Sequence, residues 1–167
     1  DLDGFFHNDA VSYADNLFGK SYCYYLEESK ADIVCAFTVS NASIFTKYLP
    51  NARKKKVGKH VPHIKQDLIY PAVLIGRLGI STKFQHLHIG TEVIDFIKSW
   101  FVEPYNKTGC RYLVVDAYNE DVPVAFYKKN GFDFMFSTEE QEKSYRGIVS
   151  DKPLKTRLMY FDLILIK

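Results

Sequence analysis

A short polar turn, Gln85-His86-Leu87-His88-Ile89-Gly90, carries groups that could bind an anion. It follows an apolar run with β-branched residues, Ala72 to Ile80, which predicts a buried strand. From Ile89 to Pro104 the apolar residues recur every three or four positions, which predicts a helix. The first N–H groups of a helix lack intrahelical partners, and the helix dipole adds positive potential there. The pattern therefore predicts a phosphate site where this helix begins.

A second stretch places an aromatic pair on a short helix. The apolar segment from Cys110 to Ala117 predicts another strand, which is followed by a loop and by the sequence V-P-V-A-F-Y-K-K-N-G-F. Pro123 suits the first turn of a helix, and Gly131 suits the residue just past its end. Adjacent helix positions point about 100° apart, so one of the two rings can pack on the apolar face while the other faces a cleft.

Together the two motifs resemble those of the GCN5-related N-acetyltransferase family. The turn is similar to the Q/R-x-x-G-x-G/A signature of that family, and the string N-x-x-x-x-A-x-x-F-Y-x-x-x-G-F follows it in the family's order and spacing. The resemblance implies an α/β (α+β) fold, the acyl-CoA N-acyltransferase fold, with a mixed, mostly antiparallel central sheet flanked by helices. It covers residues 1–167 as a single domain, and it implies acetyl-CoA as cosubstrate and no metal.

Particular site residues follow from the resemblance. Tyr127 would be the catalytic group that protonates the departing coenzyme A thiolate. The backbone of Leu78 and Ile80 would bond the pantetheine arm, and the segment His86 to Thr91 would hold the diphosphate. The implied cofactor-binding residues are Leu78, Gly79, Ile80, Gln85, His86, Leu87, His88, Ile89, Gly90, Thr91, Asn119, Phe126 and Tyr127. For Asn119 a plain turn-forming role is an equal alternative.

His88 departs from the signature, which has glycine at this position. A Cβ there crowds both the ligand and a left-handed backbone, although histidine is among the residues more tolerated at positive φ. We therefore expect the turn to form with some loss of coenzyme affinity. The alternative is that His86 and His88 donate N–H groups to the coenzyme phosphates.

No general base is evident in the sequence, because the stretch from Tyr70 to Ile80 contains no acidic residue. Asp67 and Asp116 flank the region, but the sequence gives no reason to place either carboxylate beside the thioester. A lysine amine costs about 3.5 kcal/mol more to deprotonate at neutral pH than an α-amine. A site without a base therefore favours α-amino acceptors or a water relay.

Three functions remain open, with the amine acceptor unidentified. The first is an N-acetyltransferase acting on a small molecule or a peptide. The second is a toxin that acetylates the α-amine of aminoacyl-tRNA, because L-I-G-R-L at 74–78 resembles the strand of that branch. The third is a coenzyme-binding module without catalysis, suggested by His88. A homodimer is a further expectation for which the sequence gives no interface.

The run Arg53-Lys54-Lys55-Lys56-Val57-Gly58-Lys59-His60 is the one concentration of charge. We expect it to be a solvated loop, with a contact to an acceptor phosphate or to the coenzyme 3′-phosphate as the alternative. The net charge of +2 gives no general attraction to nucleic acid, which is evidence against a tRNA partner. The histidine pairs His60-x-x-His63 and His86-x-His88 lack a completing acid or cysteine, so a metal site is disfavoured.

Composition predicts one globular domain, since 167 residues with 47% hydrophobic content can bury a single large core. No apolar run has the length of a membrane span, and no signal-peptide pattern is present at the N-terminus. The three cysteines lie in apolar contexts without C-x-x-C spacing and are expected to be buried free thiols, which favours a cytoplasmic location. The chain starts without methionine, and native residues are expected before Asp1.

The remaining elements follow from periodicity and turn residues. A helix is expected over Asp9–Phe18, a hairpin over Ser21–Glu27 and Ile33–Ser40, a short helical segment over Asn41–Leu49, and a long polar connection to Tyr70. Beyond these, a turn is expected at Asn106–Gly109, a strand at Phe132–Phe136, a loop at Ser137–Lys155, and a last strand at Arg157–Ile166.

Overall fold

The computed structural model describes residues 2–62 and 69–167, which are built around one six-stranded sheet in the order β1-β2-β3-β4-β6-β5. All neighbouring strands are antiparallel except β3 and β4, which are parallel. The predicted fold class is therefore confirmed. The strands are β1 (Lys20–Leu26), β2 (Ser29–Phe45), β3 (Ile69–Ile80), β4 (Tyr112–Tyr118), β5 (Asp133–Phe134) and β6 (Thr156–Asp162).

Helices cover both faces of the sheet. They are α1 (Leu2–Gly4), α2 (Ala10–Asp15), α3 (Asn51–Val57), α4 (Ile89–Val102), α5 (Asp121–Lys129) and α6 (Glu139–Arg146). A π-helical turn (Phe5–Asp9) joins the first two, and 3₁₀ turns occur at Thr46–Tyr48, Thr82–Phe84 and Leu163–Ile166. The strand, turn and helix predicted between residues 72 and 104 are confirmed, as is the short helix after β4.

Two apolar cores lie on opposite faces of the sheet, because side chains alternate along each strand. On the first face, Val73 and Ile75 of β3 pack with Ile94 and Ile97 of α4. On the second face, Tyr70 and Ala72 pack with residues that include Val57 of α3. Strand β3 is buried on both sides for this reason, and it reads in the sequence as a continuous apolar run.

The segment expected to be a short helix at Asn41–Leu49 is instead mostly strand. Strand β2 continues to Phe45, pairing with β3 as far as Ile69, and a single 3₁₀ turn follows. The prediction was wrong because short apolar runs fit either period. Pairing along the whole of β3 decides in favour of the strand.

Residues 53–57 of the basic run belong to helix α3 and are not a solvated loop, whereas residues 58–60 form a turn after it. Ala, Arg and Lys are good helix formers, and Arg53 and Val57, one turn apart, are both buried. The Arg53 Nε donates to the carbonyl of Met135 at 3.0 Å, and both Arg53 and Lys56 pair with Asp133. This part of the run therefore attaches α3 to β5. His63 and Asp67, named above as candidate polar residues, lie outside the described residues.

A helix also stands where a loop was expected between Ser137 and Lys155. Helix α6 is capped by Thr138, whose Oγ1 accepts a hydrogen bond from the Gln141 N–H. It ends at Gly147 in the left-handed conformation, with φ of 66°. The T-x-x-Q string and the glycine are a recognisable start and stop signal, which the charged composition obscured.

Three smaller differences from the sequence predictions concern where elements end. The N-terminal helix ends at Asp15, the strand expected over 132–136 is two residues long, and β6 ends at Asp162.

The cysteines were all expected to be buried. Of the three free cysteines, Cys35 is buried but Cys23 is exposed. Cys23 lies on edge strand β1, on the face opposite to Tyr22, which packs against Trp100 of α4.

Candidate functional site

The two halves of the sheet separate in the middle. In the described chain β3 and β4 pair from Ala72 to Ile75, opposite Tyr112 to Val115, and not beyond. Strand β3 nevertheless remains paired with β2 up to Ile80, and β4 remains paired with β6 up to Tyr118. The strand ends thus diverge into a cleft, which we call the split. The backbone edges that face the split are not used by the sheet.

A β-bulge begins the split. Thr38 pairs with Arg77 and Val39 pairs with Ile75, so Gly76 is an extra residue in β3. A Cβ at Gly76 would lie 2.9 Å from the Thr38 Oγ1, so a larger residue would displace a buried side chain. The Thr38 hydroxyl itself has no hydrogen-bond partner among the described residues, although the residue is buried.

The backbone of Leu78 and Ile80 faces the split. The Ser81 N–H donates to the carbonyl of Val34 in β2, and backbone groups alternate sides along a strand. The N–H and C=O groups of Leu78 and Ile80 therefore point away from β2. The Gln85 side chain donates to the Ile80 carbonyl at 3.3 Å, which ties the turn to the end of β3.

At the end of the split lies a cradle of backbone amides. The N–H groups of His86, Leu87, His88, Ile89 and Gly90 have no acceptor within the described ranges 2–62 and 69–167. His86 and His88 both have positive φ, 64° and 61°, and His88 is the N-cap residue just before α4. Unpaired amides, two left-handed residues and a helix N-terminus together form a concavity that could hold an anion. The Thr91 N–H, in contrast, donates to the carbonyl of His88. Thr91 could therefore donate to a phosphate only through its hydroxyl.

Gly90 brings α4 and α5 into contact beside this cradle. A Cβ at Gly90 would lie 3.0 Å from Cε2 and 3.2 Å from Cζ of Phe126, and 3.8 Å from a methylene carbon of Ile80. Packing therefore favours glycine at position 90, because a side chain there would displace the Phe126 ring.

Tyr127 packs into the same region and is largely buried. Its ring lies 5.1 Å from the Phe126 ring and 5.4 Å from the Phe132 ring, in edge-on geometry. Burial raises the pKa of Tyr127 to about 12. Its hydroxyl makes no hydrogen bond to the described part of the chain, yet it is not sealed from solvent. Tyr127 therefore holds a proton at neutral pH and can act as an acid but not as a base.

Asn119 is used in the structure to join two segments. Its amide nitrogen donates to the Glu139 carboxylate and to the carbonyl of Leu154, both at 2.9 Å. The Leu154 N–H and the Asn119 amide in turn lower the pKa of Glu139. Of the Asn119 side chain, only Oδ1 is therefore available for a contact to a coenzyme.

Comparisons with known proteins give structural matches only. No protein-family profile matches the sequence, and no curated protein sequence matches it. The chain is similar to the structure of AtaT complexed with acetyl-methionyl-tRNAfMet, with a TM-score of 0.65 and 18% identity over 99% of this chain and 83% of AtaT. A tyrosine-to-phenylalanine mutant of KacT gives 0.64 and 19%, with the same coverage.

A further match is an AtaT mutant toxin bound to the C-terminus of the antitoxin AtaR and to acetyl-CoA. Its TM-score is 0.60 and its identity 17%, over 99% of this chain and 81% of that one. These proteins have the GCN5-related N-acetyltransferase fold. This chain has the GCN5-related N-acetyltransferase fold.

On the face of this acetyltransferase fold opposite to α4, a groove leads towards the split. The outer part, about 940 Å³, lies between the 3₁₀ turn after β2 and helix α6, with Phe45, Tyr48 and Tyr145 on its walls. An inner cavity of about 180 Å³ shares Leu49 and Tyr145 with it. Its floor is formed by Leu74, Val114 and Leu158, next to the point where β3 and β4 part.

A charged network beside this groove was missed in the sequence. Glu142 is fully buried and accepts from Arg157 at 2.7 Å, from Arg146 at 2.6 Å and from the Leu158 N–H at 2.7 Å. Arg146 also donates to Asp116 at 2.7 Å. Burial alone would lower the pKa of Arg146, but its bonds to Asp116 and Glu142 raise it. Glu142 and Arg146, one helical turn apart, were the available signal.

Metal and membrane features are not found in the described part of the acetyltransferase fold. Within residues 2–62 and 69–167, no group of three His, Cys, Asp or Glu side chains could hold a metal ion. In the same residues, no helix has both the length and the apolar character needed to cross a bilayer.

Proposed function

We propose that the protein is an N-acetyltransferase, which moves an acetyl group from acetyl-CoA to a primary amine by direct attack in a ternary complex. The observation that carries the proposal is the split in the sheet, which ends at the unpaired amides of His86 to Gly90. The diphosphate would rest on these amides, and the pantetheine arm would bond the backbone of Leu78 and Ile80. The thioester would then lie near Gly76, where the sheet halves part.

Tyr127 supplies the proton for the departing sulfur. The amine nitrogen attacks the thioester carbonyl carbon, the C–S bond breaks, and Tyr127 gives its proton to the sulfur. The nitrogen gives a proton to water, and water returns a proton to the Tyr127 phenolate. With a pKa of about 12, Tyr127 is protonated at neutral pH. A coenzyme sulfur desolvated in the same pocket also has a raised pKa, which brings the two groups closer in proton affinity.

The acceptor should be an amine that loses its proton easily. Strand β3 contains no acidic residue between Ile69 and Ile80, so a carboxylate base is absent from that strand. A lysine amine costs about 3.5 kcal/mol more to deprotonate at neutral pH than an α-amine. An α-amine is therefore the favoured nucleophile.

The decisive experiment combines coenzyme binding with an amine panel. Titration with acetyl-CoA should shift the backbone amide NMR signals of residues 86–90, and release of free thiol should report transfer to peptides with an unblocked α-amine. Unperturbed signals at residues 86–90 would overturn the proposal. Perturbed signals without transfer to any amine would favour a coenzyme-binding module instead.

A second candidate is transfer to the α-amine of aminoacyl-tRNA. It is favoured by the likeness to AtaT complexed with acetyl-methionyl-tRNAfMet over nearly the whole chain. Helix α3 and its end present the exposed residues Lys55 and Lys59, whereas Arg53 is buried. Charge reversal of Lys55 and Lys59 should weaken tRNA binding and reduce its salt dependence. Acetylation of amines that are not attached to tRNA, without acetylation of aminoacyl-tRNA, would exclude this candidate.

A further inference from the structure

The inner cavity described above is mostly apolar, and the carboxylate-bearing Asp116 neighbours two of the residues that line it. Its walls include Ala42, Leu74, Val114, Met135 and Leu158. Its volume of about 180 Å³ compares with roughly 150 Å³ for an apolar protein cavity that binds benzene. A branched aliphatic side chain or a single aromatic ring therefore fits inside it.

Asp116 is not itself a lining residue, but it lies next to the cavity on the side of the split. It follows Val115, the last β4 residue paired with β3. It shares a face of β4 with Val114 and lies directly opposite Leu158 of β6, and both of these residues line the cavity. Partner residues on one face have Cβ atoms about 5 Å apart, and alternate residues of a strand are about 7 Å apart.

Asp116 is held in place and still accessible. Arg146 donates to its two carboxylate oxygens at 2.7 and 3.4 Å. Arg146 is itself fixed by the buried Glu142, and its neighbour Tyr145 lines the cavity. The Asp116 side chain is 40% exposed, and a carboxylate has about four acceptor sites, so it can accept from an ammonium group as well.

From this arrangement we infer that the protein selects an amine whose adjacent carbon carries an apolar side chain. Asp116 receives the ammonium group at the split, and the cavity between Leu74, Val114 and Leu158 receives the side chain. The spacing of carboxylate and cavity suits an α-amino group, in which nitrogen and side chain share one carbon. The inference deepens the proposed function and rests on it for the identity of the reaction. Asp116 is a positioning and specificity residue.

The test measures binding without turnover, with coenzyme A present in place of acetyl-CoA. Three amides serve as probes: leucinamide, glycinamide, which lacks the side chain, and the des-amino analogue of leucinamide, which lacks the ammonium group. Leucinamide should bind at least about tenfold more tightly than either of the others, because an apolar side chain and a charge-assisted hydrogen bond each contribute that much.

Variants separate the two contributions. Asp116→Asn should reduce leucinamide affinity about tenfold and leave the des-amino analogue unchanged. Asp95→Asn is the matched control, since Asp95 is an exposed carboxylate that pairs with Lys98 on α4, away from the cavity. Ala42→Leu should remove the preference for leucinamide over glycinamide by filling the cavity. Thermal unfolding checks that each variant folds.

Equal affinities for the three amides, equal effects of the two aspartate variants, or no binding of leucinamide would overturn the inference. Failure of the proposed function would be seen separately, in the acetyl-transfer assay. If the protein binds leucinamide through Asp116 but transfers no acetyl group, the amine site is supported and the proposed acetyltransferase function is not.

Discussion

At the scale of single residues, the left-handed histidine is the most informative feature of the site. His88 occupies the position at which the family signature has glycine, and its φ of 61° explains that preference. A side chain in this conformation costs about 1–2 kcal/mol, and histidine is among the residues that tolerate it better. The exposed imidazole leaves the neighbouring amides unpaired, so the cradle is formed despite the substitution.

We expect His88→Gly to stabilise the fold by about 1 kcal/mol, because glycine adopts positive φ without strain. Acetyl-CoA should also bind more tightly, since the Cβ beside the cradle is removed. Urea unfolding and calorimetry measure the two effects. Leu17→Gly is the control, since Leu17 has a φ of 59° away from the cradle and should change stability alone. Weaker binding in His88→Gly would identify His88 as a ligand of the phosphates.

For Tyr127, we expect replacement by phenylalanine to lower kcat by about a hundredfold and to leave acetyl-CoA affinity within about twofold. The phenol contributes a proton in the transition state and little to ground-state binding. Tyr105→Phe, at an exposed tyrosine, is the control and should have no effect. Equal turnover by Tyr127→Phe and the unmodified protein would remove the proton-donor role.

The raised pKa of Tyr127 also predicts the shape of the pH profile. Its proton is retained until the pH approaches about 12, and the acceptor amine becomes more nucleophilic as pH rises. The rate should therefore increase through about pH 8 and show no fall from tyrosine ionisation below about pH 10. A descending limb centred near neutral pH would require a different acid.

At the scale of elements, the start of α4 and the middle of α5 act as one unit. Phe126 lies beside Gly90, which also neighbours Ile80 at the end of β3, and the Phe126 ring packs edge-on against Tyr127. A displacement of Phe126 is therefore transmitted from the cradle to the proposed acid. The aromatic pair Phe126 and Tyr127 thus links the amide cradle to the proposed acid.

A methyl group at position 90 tests this coupling. In Gly90→Ala the Cβ would meet Phe126 at 3.0 Å, and overpacking of this kind costs about 1–3 kcal/mol, against about 1 kcal/mol gained in helix propensity. We expect a net loss of about 1 kcal/mol in unfolding free energy and weaker acetyl-CoA binding. Gly109→Ala, where a Cβ meets nothing within 4 Å, is the control. Unchanged coenzyme affinity in Gly90→Ala would contradict the coupling.

At the scale of the whole molecule, the two halves of the sheet are joined by a short parallel pairing and separated by the split. A coenzyme lying in the split would bond to the inner edge of β3 and pack against α4 and α5. Ligand binding to the folded state alone raises stability by about 2.7 kcal/mol at a hundredfold excess over Kd.

We therefore expect saturating acetyl-CoA to raise the Tm by about 5–10 °C, the range for a chain of this size. Pantetheine, which lacks the diphosphate, should give a smaller shift at the same concentration because the cradle stays empty. Differential scanning calorimetry provides the measurement. An equal shift with the two ligands would mean that the amides of residues 86–90 do not bind the diphosphate.

The sequence by itself determined the elements that depend on local preferences and on the spacing of apolar residues. The apolar run of β3, the spacing of apolar residues in α4 and the proline and glycine around α5 encode these elements through short-range preferences. The turn between Gln85 and Gly90 could be identified for the same reason, because helix starts and left-handed positions leave a mark on neighbouring residues. The family resemblance rested on these segments, and the fold confirmed it.

Only the tertiary structure decided how distant segments use their charges and edges. Lys56 and Arg53 resembled solvated residues until Asp133, far along the chain, was placed beside them. Similarly, Asp116 gained a place at the split because Arg146 and Leu158 arrive there from other elements. Long-range ion pairs and strand divergence depend on which segments meet, and no local preference encodes that. The strand, turn and helix that form the amide cradle were therefore predictable, and the position of Asp116 beside Arg146 and Leu158 was not.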